Sequence, residues 1–155
     1  MIPAPIESHL RQCHRGYEHH AHRSAATAQE LAASEHVSGH RVAKPVVVSL
    51  DGWLALAVVS AADRVDLETL RLATGADVAL VPEDEFAGRF LPCAPGAEPP
   101  LAMFGAPIFV DAKLTGEAKL VMQAGTHEDA VIVDTEEWMD CERAQPIAEL
   151  GVPVH

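Results

Sequence analysis

The chain has 155 residues, is 48% hydrophobic, and carries 11 basic and 23 acidic side chains for a formal charge of −12. That length suits one domain, residues 1–155, able to bury a core of its own. The acidic balance argues against a general duplex-binding protein. No apolar run approaches the ~20 residues that span a bilayer, and the opening MIPAPIESHLRQCHRG lacks the basic-then-apolar order of a secretory signal. A cytoplasmic protein with no membrane contact is expected.

The charge is unevenly spread. Residues 1–44 hold five basic and four acidic groups and seven of the nine histidines, whereas the rest holds six basic and nineteen acidic groups. A face that meets phosphate would therefore be built largely from the N-terminal third. The three cysteines, Cys13, Cys93 and Cys141, are odd in number, far apart and form no CxxC pair. Neither a disulfide framework nor a zinc ribbon is expected from them.

In chain order, Ile6, Leu10 and Cys13 recur at helical spacing ahead of Gly16, and YEHHAH reads as a short extended piece. TAQELA begins a helix with a capping box, Thr27 and Glu30. Two apolar runs, VVVSL and WLALAVVS, flank Asp51-Gly52, a strong hairpin signal because both turn positions need positive φ. Asp66 caps the helix LETLRLA, which Gly75 closes, and DVALV reads as a strand. Pro82 suits the first residue of a short acidic helix, PEDEFAGRF. A proline- and glycine-rich loop then runs from Leu91 to Gly105. PIFVD, AKLVMQA and DAVIVD are strand candidates, TEEWMDCERA is the last helix, and the tail beyond it is expected to pack loosely. Strands and helices mix without strict βαβ alternation. The expected fold is α/β in the broad α+β sense, with a mixed, curled, partly barrel-like β-sheet surrounded by helices.

Four segments, YEHHAHRSAAT, VAKPVVV, CAPGAEPPLAMFG and AGTHEDAVIV, are more polar or more glycine-rich than their structural neighbours require. Five ordered pieces lie in or near them. Tyr17 and His22 precede the Thr27-x-x-Glu30 helix start; Ala43-Lys44 precedes an apolar strand; ADRVDLETLRLATG follows a strand ending in small residues. Cys93-x-x-Gly96-x-x-Pro99-Pro100 and Ala124-Gly125-Thr126-His127 complete the set, which spans residues 17 to 133. Together they resemble the YbaK/prolyl-tRNA-synthetase-associated domain family, free-standing relatives of the synthetase editing insertion.

The resemblance implies hydrolysis of the ester joining a wrongly attached amino acid to the 3′-terminal adenosine of tRNA. It implies a functional lysine at Lys44 and substrate contacts at His22, Gly96, Ala97, Pro99, Pro100, Gly125, Thr126 and His127. Such a reaction needs a positioned water, a holder for the amino acid and adenosine, and donors for the developing oxyanion. Glycine loops allow backbone N–H groups to approach a substrate, and lysine offers a compact charge with three donors. No metal or other cofactor enters this scheme. The tRNA acceptor end is the expected partner, with an aminoacyl-tRNA synthetase as a further one, and a monomer is expected.

Each assignment has a structural rival. Lys44 could snorkel from a strand end, His127 could be an ordinary turn residue, His22 could brace a sheet edge, and Cys93 could be a small buried hydrophobe. Cys13, His14, His19, His20 and His22 are potential zinc ligands, yet the stretch reads as a solvated, weakly basic surface, and no metal site is expected there. Pro45, where relatives carry a hydroxylated or amide residue, removes an N–H beside the lysine. It keeps open a non-catalytic module that binds the aminoacyl-tRNA acceptor end without cleaving it. The loop residues Gly96, Ala97, Pro99, Pro100, Leu101 and Ala102 would form an apolar pocket suited to a small amino acid.

Overall fold

A computed structural model describes residues 1–22 and 25–154. In chain order the helices are α1 (Ala4–Cys13), α2 (Ala28–Ser34), α3 (Leu67–Thr74), α4 (Glu83–Phe86) and α5 (Thr135–Glu142). The strands are β1 (Glu18–Ala21), β2 (Ala43–Leu50), β3 (Trp53–Ser60), β4 (Asp63–Val65), β5 (Val78–Leu80), β6 (Ile108–Asp111), β7 (Lys119–Gln123), β8 (Asp129–Asp134), β9 (Gln145–Ile147) and β10 (Gly151–Pro153). The result is a mixed α+β fold with curled sheets and no closed barrel among the described residues.

Local chemistry sets the element ends. Asp51 and Gly52 adopt φ of 50° and 87°, which turns β2 back onto β3 as an antiparallel pair from Ala43–Ser60 to Leu50–Trp53. Thr27 accepts from the Glu30 N–H at 3.0 Å, while Glu30 accepts from the Ala26 N–H at 2.8 Å, so the start of α2 is held from both sides. Asp66 caps α3 and Gly75 ends it in the left-handed region. α5 stops at Glu142, short of the expected Ala144, because Arg143 takes φ 54°.

The five-stranded sheet has the order β5-β2-β3-β6-β9, antiparallel at β5-β2 and β2-β3 and parallel at β3-β6 and β6-β9. A three-stranded antiparallel sheet, β1-β8-β7, meets it through a parallel bridge between Val42 and Val121. The larger core lies between these sheets, α1 and α5, and includes Ile6, Leu10, Phe90, Met122 and the fully buried Trp138. Trp138 Nε1–H donates to the Pro100 carbonyl at 2.9 Å, so the ring's one polar atom is satisfied inside the core. A smaller cluster on the other side of β2 and β3 contains Val48, Val59, Leu70 and Leu150. No helix among the described residues is long and apolar enough to cross a membrane.

Two expectations need correction. The C-terminal tail is packed rather than loose: β9 extends the large sheet, β10 pairs with β4, and Leu150 between them is fully buried. Its prolines are tolerated because both strands are short and lie at sheet edges. The cysteines are also not scattered. Cys13 at the end of α1 and Cys141 in α5 stand paired as a disulfide, with Cα atoms 6.0 Å apart across 128 residues of sequence. Sequence spacing carries no trace of that proximity.

Candidate active site

β5 pairs with β2 only between Val48 and Leu50, which leaves the 43–46 edge of β2 open. The Val81 N–H donates to the Val47 carbonyl at 3.3 Å, so the main-chain groups of Val47 face the β5 side. By the alternation of an antiparallel strand, Pro45 presents its backbone to the same open side. There its missing N–H breaks no ladder bond, and its carbonyl remains available. This placement explains how proline sits in an interior strand of the sheet.

A cleft of about 400 Å³ wraps around that edge. Apolar side chains of Leu31, Val42, Val47, Val81 and Phe86 contribute to its walls, and Lys44, Glu83, Gly96, Glu98 and Gln123 supply polar groups. Lys44 and Val46 share one face of β2 with Val48, whereas Ala43, Pro45 and Val47 share the other. The lysine therefore reaches the cleft from the rim, and it also borders a neighbouring hollow lined by Arg64, Asp66 and Glu68. Its Nζ donates to the main-chain carbonyl of Asp63. Burial holds the Lys44 ammonium below the usual lysine range, with the Asp63 charge opposing that shift.

Gly96 adopts φ 87° and faces the cleft, and a Cβ there would meet His127 Cε1 at 3.4 Å. Its N–H lies 3.0 and 3.2 Å from the two carboxylate oxygens of Glu98. Glu98 is 7% exposed. Burial pushes its carboxyl above the usual range; its own N–H and that of Gly96 work against the shift, and nearby Glu83 adds to it. Gln123 donates through Nε2 to the Ala25 carbonyl at 2.8 Å, while its Oε1 is buried without a hydrogen-bond partner among the described residues. The cleft thus offers acceptors: the buried Glu98 carboxyl and Gln123 amide oxygen within it, and the exposed Glu83 carboxylate at its rim.

The other predicted residues support this loop or lie elsewhere. His127 stands between two carbonyls, with Nε2 2.9 Å from Pro95 O and Nδ1 3.3 Å from Ala25 O. It ties the Gly96 loop to the segment before α2. The Gly125 N–H donates to Ala97 O, and its carbonyl accepts from the Ala94 N–H, both at 2.9 Å. At φ 95° its Cα faces Ile6 and Pro3 of the N-terminal segment rather than the cleft. Ala97, Pro99, Pro100 and Leu101 are buried, and of the six residues expected to line the pocket only Gly96 borders it. The Thr126 hydroxyl donates to Asp129 Oδ2 at 2.5 Å. His22 lines a separate groove with His20, Glu35 and His36, and its N–H donates to Glu128 O at 2.8 Å. Cys93 is buried and its thiol is pushed up to about 12, chiefly by burial, which leaves it a core residue and a poor nucleophile.

The acidic side of the cleft was missed from sequence. Glu98 is the only charged residue in CAPGAEPPLAMFG, and that isolation was the available signal. Glu83 and Gln123 carried none, since both read as ordinary residues of a helix and a strand.

Solved structures share the whole fold. A structure described as "hypothetical protein APE2540" aligns with TM-score 0.85 at 19% identity, covering 95% of this chain and 99% of the other. One described as "a putative trans-editing enzyme for prolyl tRNA synthetase" aligns with TM-score 0.82 at 19% identity, covering 96% and 98%. No curated protein matches the chain. The model of the aminoacyl-tRNA editing domain matches residues 22–141, which include Lys44, Gly96, Glu98, His127 and every cleft residue named above. The chain belongs to the aminoacyl-tRNA editing domain family.

Proposed function

We propose that residues 1–155 act as one cytoplasmic editing domain that works in trans as a deacylase, hydrolysing the ester of a small amino acid on the 3′ end of a mischarged tRNA. The observation that carries this reading is the pairing, across the open edge of β2, of a half-buried lysine with an acceptor-lined floor. An aminoacyl ester carries an α-ammonium group at one end and a carbonyl that becomes an oxyanion at the other. Glu98, Glu83 and the unpartnered Gln123 Oε1 suit the ammonium, with the Pro45 carbonyl as a further acceptor. Lys44 suits the oxyanion or the terminal phosphate, once its head leaves the Asp63 carbonyl. Gly96 lets the loop backbone approach the adenosine closely, braced from beneath by His127.

Leu31, Val42, Val47, Val81 and Phe86 leave an apolar space between these ends. Such walls exclude bulk well but separate an added methylene by only ~1–3 kcal/mol. Alanine, serine or threonine esters are therefore the expected substrates, with overlap among them. The excess of acids keeps the docking footprint to the acceptor end, with about two or three phosphates neutralised and a shallow dependence of affinity on salt. A synthetase that delivers the tRNA is a compatible partner.

A second reading has its own support. Lys44 is engaged with Asp63, and Pro45 removes an N–H from the cleft edge, as a module that binds the acceptor end without cleaving it would allow. Turnover measured on a panel of mischarged tRNAs separates the two. Hydrolysis of small aminoacyl esters supports the deacylase; preferential turnover of aromatic or long basic esters rejects the small-residue pocket; tight binding with no turnover of any ester leaves the binding module.

A further inference from the structure

The deacylase reading leaves one group of reactive side chains unused, at the junction of α1 and α5. His9 and Cys13 lie four residues apart on α1, hence on one helical face, and His14 follows as its C-cap. α5 brings Cys141 and Glu142 to the same place. One ligand atom from each of these five residues lies within 4.8 Å of all the others. Four ligands around one ion at bond lengths of about 2.0–2.3 Å stand within roughly 3.8 Å of one another, so side-chain shifts of about an ångström would gather four of these atoms onto one ion.

The hydrogen bonding at this junction is incomplete in an informative way. Glu142, 1% exposed, accepts from the Ala102 N–H at 2.8 Å and lies 2.8 Å from His9 Nε2 and 2.6 Å from His14 Nε2. A neutral imidazole whose Nε2–H donates to a carboxylate carries its lone pair on Nδ1. His14 Nδ1 is buried and has no hydrogen-bond partner among the described residues. A carboxylate that fixes an imidazole tautomer, and so directs the opposite lone pair, is the usual outer partner of a metal-bound histidine. Beside it stand two sulfurs, and two thiolates with two imidazoles form the donor set of a borderline-soft, tetrahedral cation.

We propose that, with Cys13 and Cys141 as the dithiol, this junction binds one zinc ion through both thiolates and through His9 and His14, with Glu142 orienting the rings. Binding releases the two thiol protons to solvent, and the two thiolates balance the charge of the ion. Glu142 stays ionised on the Ala102 N–H. A disulfide between the same two sulfurs removes both thiolates, so the site belongs to the reduced chain. The ion would clamp α1 onto α5, both of which pack into the larger core. The sequence hides this site because its ligands lie 128 residues apart and only Cys13 and His14 fall in the histidine-rich stretch.

The test uses untagged protein, fully reduced and then freed of metal with a chelator. Zn²⁺ is titrated in competition with a chromophoric chelator, and Co²⁺ is added separately as a spectroscopic probe. One zinc per chain is expected, with thiolate-to-cobalt charge-transfer bands and a raised thermal midpoint. Cys13→Ser and Cys141→Ser should abolish stoichiometric binding, His14→Asn should weaken it about tenfold or more, and Cys93→Ser should leave it unchanged. His14→Asn keeps both sulfurs and guards against a cysteine variant that fails to fold. Absence of stoichiometric zinc in reduced, folded wild type overturns the proposal, as does equal binding by Cys13→Ser and Cys141→Ser. None of these readouts depends on deacylation, so failure of one reading does not touch the other.

Discussion

The Lys44 ammonium donates to the Asp63 main-chain carbonyl, while the Asp63 carboxylate is held at 2.9 Å by Lys113. The charge of Asp63 is thus largely answered by another lysine, and Lys44 is left with a neutral acceptor in a partly buried place. Its folded pKa is lowered by burial, so the unfolded chain binds this proton more tightly, and stability rises as pH climbs through the folded value toward the ordinary ~10.4. At neutral pH the ammonium is a cost to folding.

Lys44→Met keeps the stem and removes that cost. We expect an unchanged or raised thermal midpoint, together with at least a hundredfold loss of ester hydrolysis, since a preorganised charged donor is worth about 3 kcal/mol or more in a transition state. Lys44→Arg keeps the charge but replaces a point donor with a wide fork, and most activity should go with it. A lysine that merely snorkels predicts the reverse: hydrolysis near normal in Lys44→Met, with a lowered midpoint. Rates and midpoints for both variants decide between them.

Acid should find a different weak point. Burial works against the charge on Asp129, yet the Met1 ammonium at 2.8 Å, the Thr126 hydroxyl and His19 at 2.6 Å together bring its carboxyl down to about 2. A lowered carboxylate contributes stability that is present above the ordinary ~3.9 and lost as pH falls from there toward about 2. Asp129→Asn should cost about 1.5–3 kcal/mol at pH 6, the range for hydrogen bonds to a charged group. The gap from wild type should close as the pH approaches 2. Denaturant melts across that window measure it, and a constant gap would exclude Asp129 as the titrating group.

Gly125 offers a test of packing rather than charge. Its φ is 95°, and a Cβ there would stand 2.7 Å from Ile6 Cδ1 and 2.9 Å from Pro3 Cδ. Gly125→Ala should destabilise the fold by about 1–3 kcal/mol through overpacking, with backbone strain in addition. Gly116→Ala, where no atom of the described residues lies within 4 Å of the new Cβ, should be near neutral. Equal midpoints for the two variants would show that the N-terminal segment does not seat on this turn.

Much of this fold is legible in the sequence alone. Asp51-Gly52, the Thr27/Glu30 box and the Asp66/Gly75 bounds each carry their own backbone requirement, so local chemistry reports them directly. The Gly96 and His127 motifs were visible as patterns, but not that the histidine braces the glycine loop from below, because that relation depends on how two distant loops stack. Pairings set by the whole fold were invisible. Cys13 meets Cys141, Leu150 enters the core, and the open edge of β2 exists only because β5 stops at three residues.

The acidic floor yields the sharpest test of substrate recognition. Glu98 is held in place by the Gly96 N–H and is almost wholly buried, so its position varies little. If it receives the α-ammonium of the aminoacyl group, the wild-type protein should discriminate strongly against esters whose amine is acetylated. Glu98→Gln keeps size and an acceptor oxygen but loses the charge. A hydrogen bond to a charged partner is worth about 1.5–3 kcal/mol, so kcat/KM for the free-amine ester should fall roughly ten- to a hundredfold. The acetylated ester should scarcely change, which collapses the preference between the two. Because burial holds the Glu98 carboxyl above the usual range, free-amine turnover in the wild type should fall on the acid side earlier than an ordinary glutamate would impose, and Glu98→Gln should lose that limb. A variant that slows both esters equally would place Glu98 in holding the Gly96 loop and remove it from contact with the substrate.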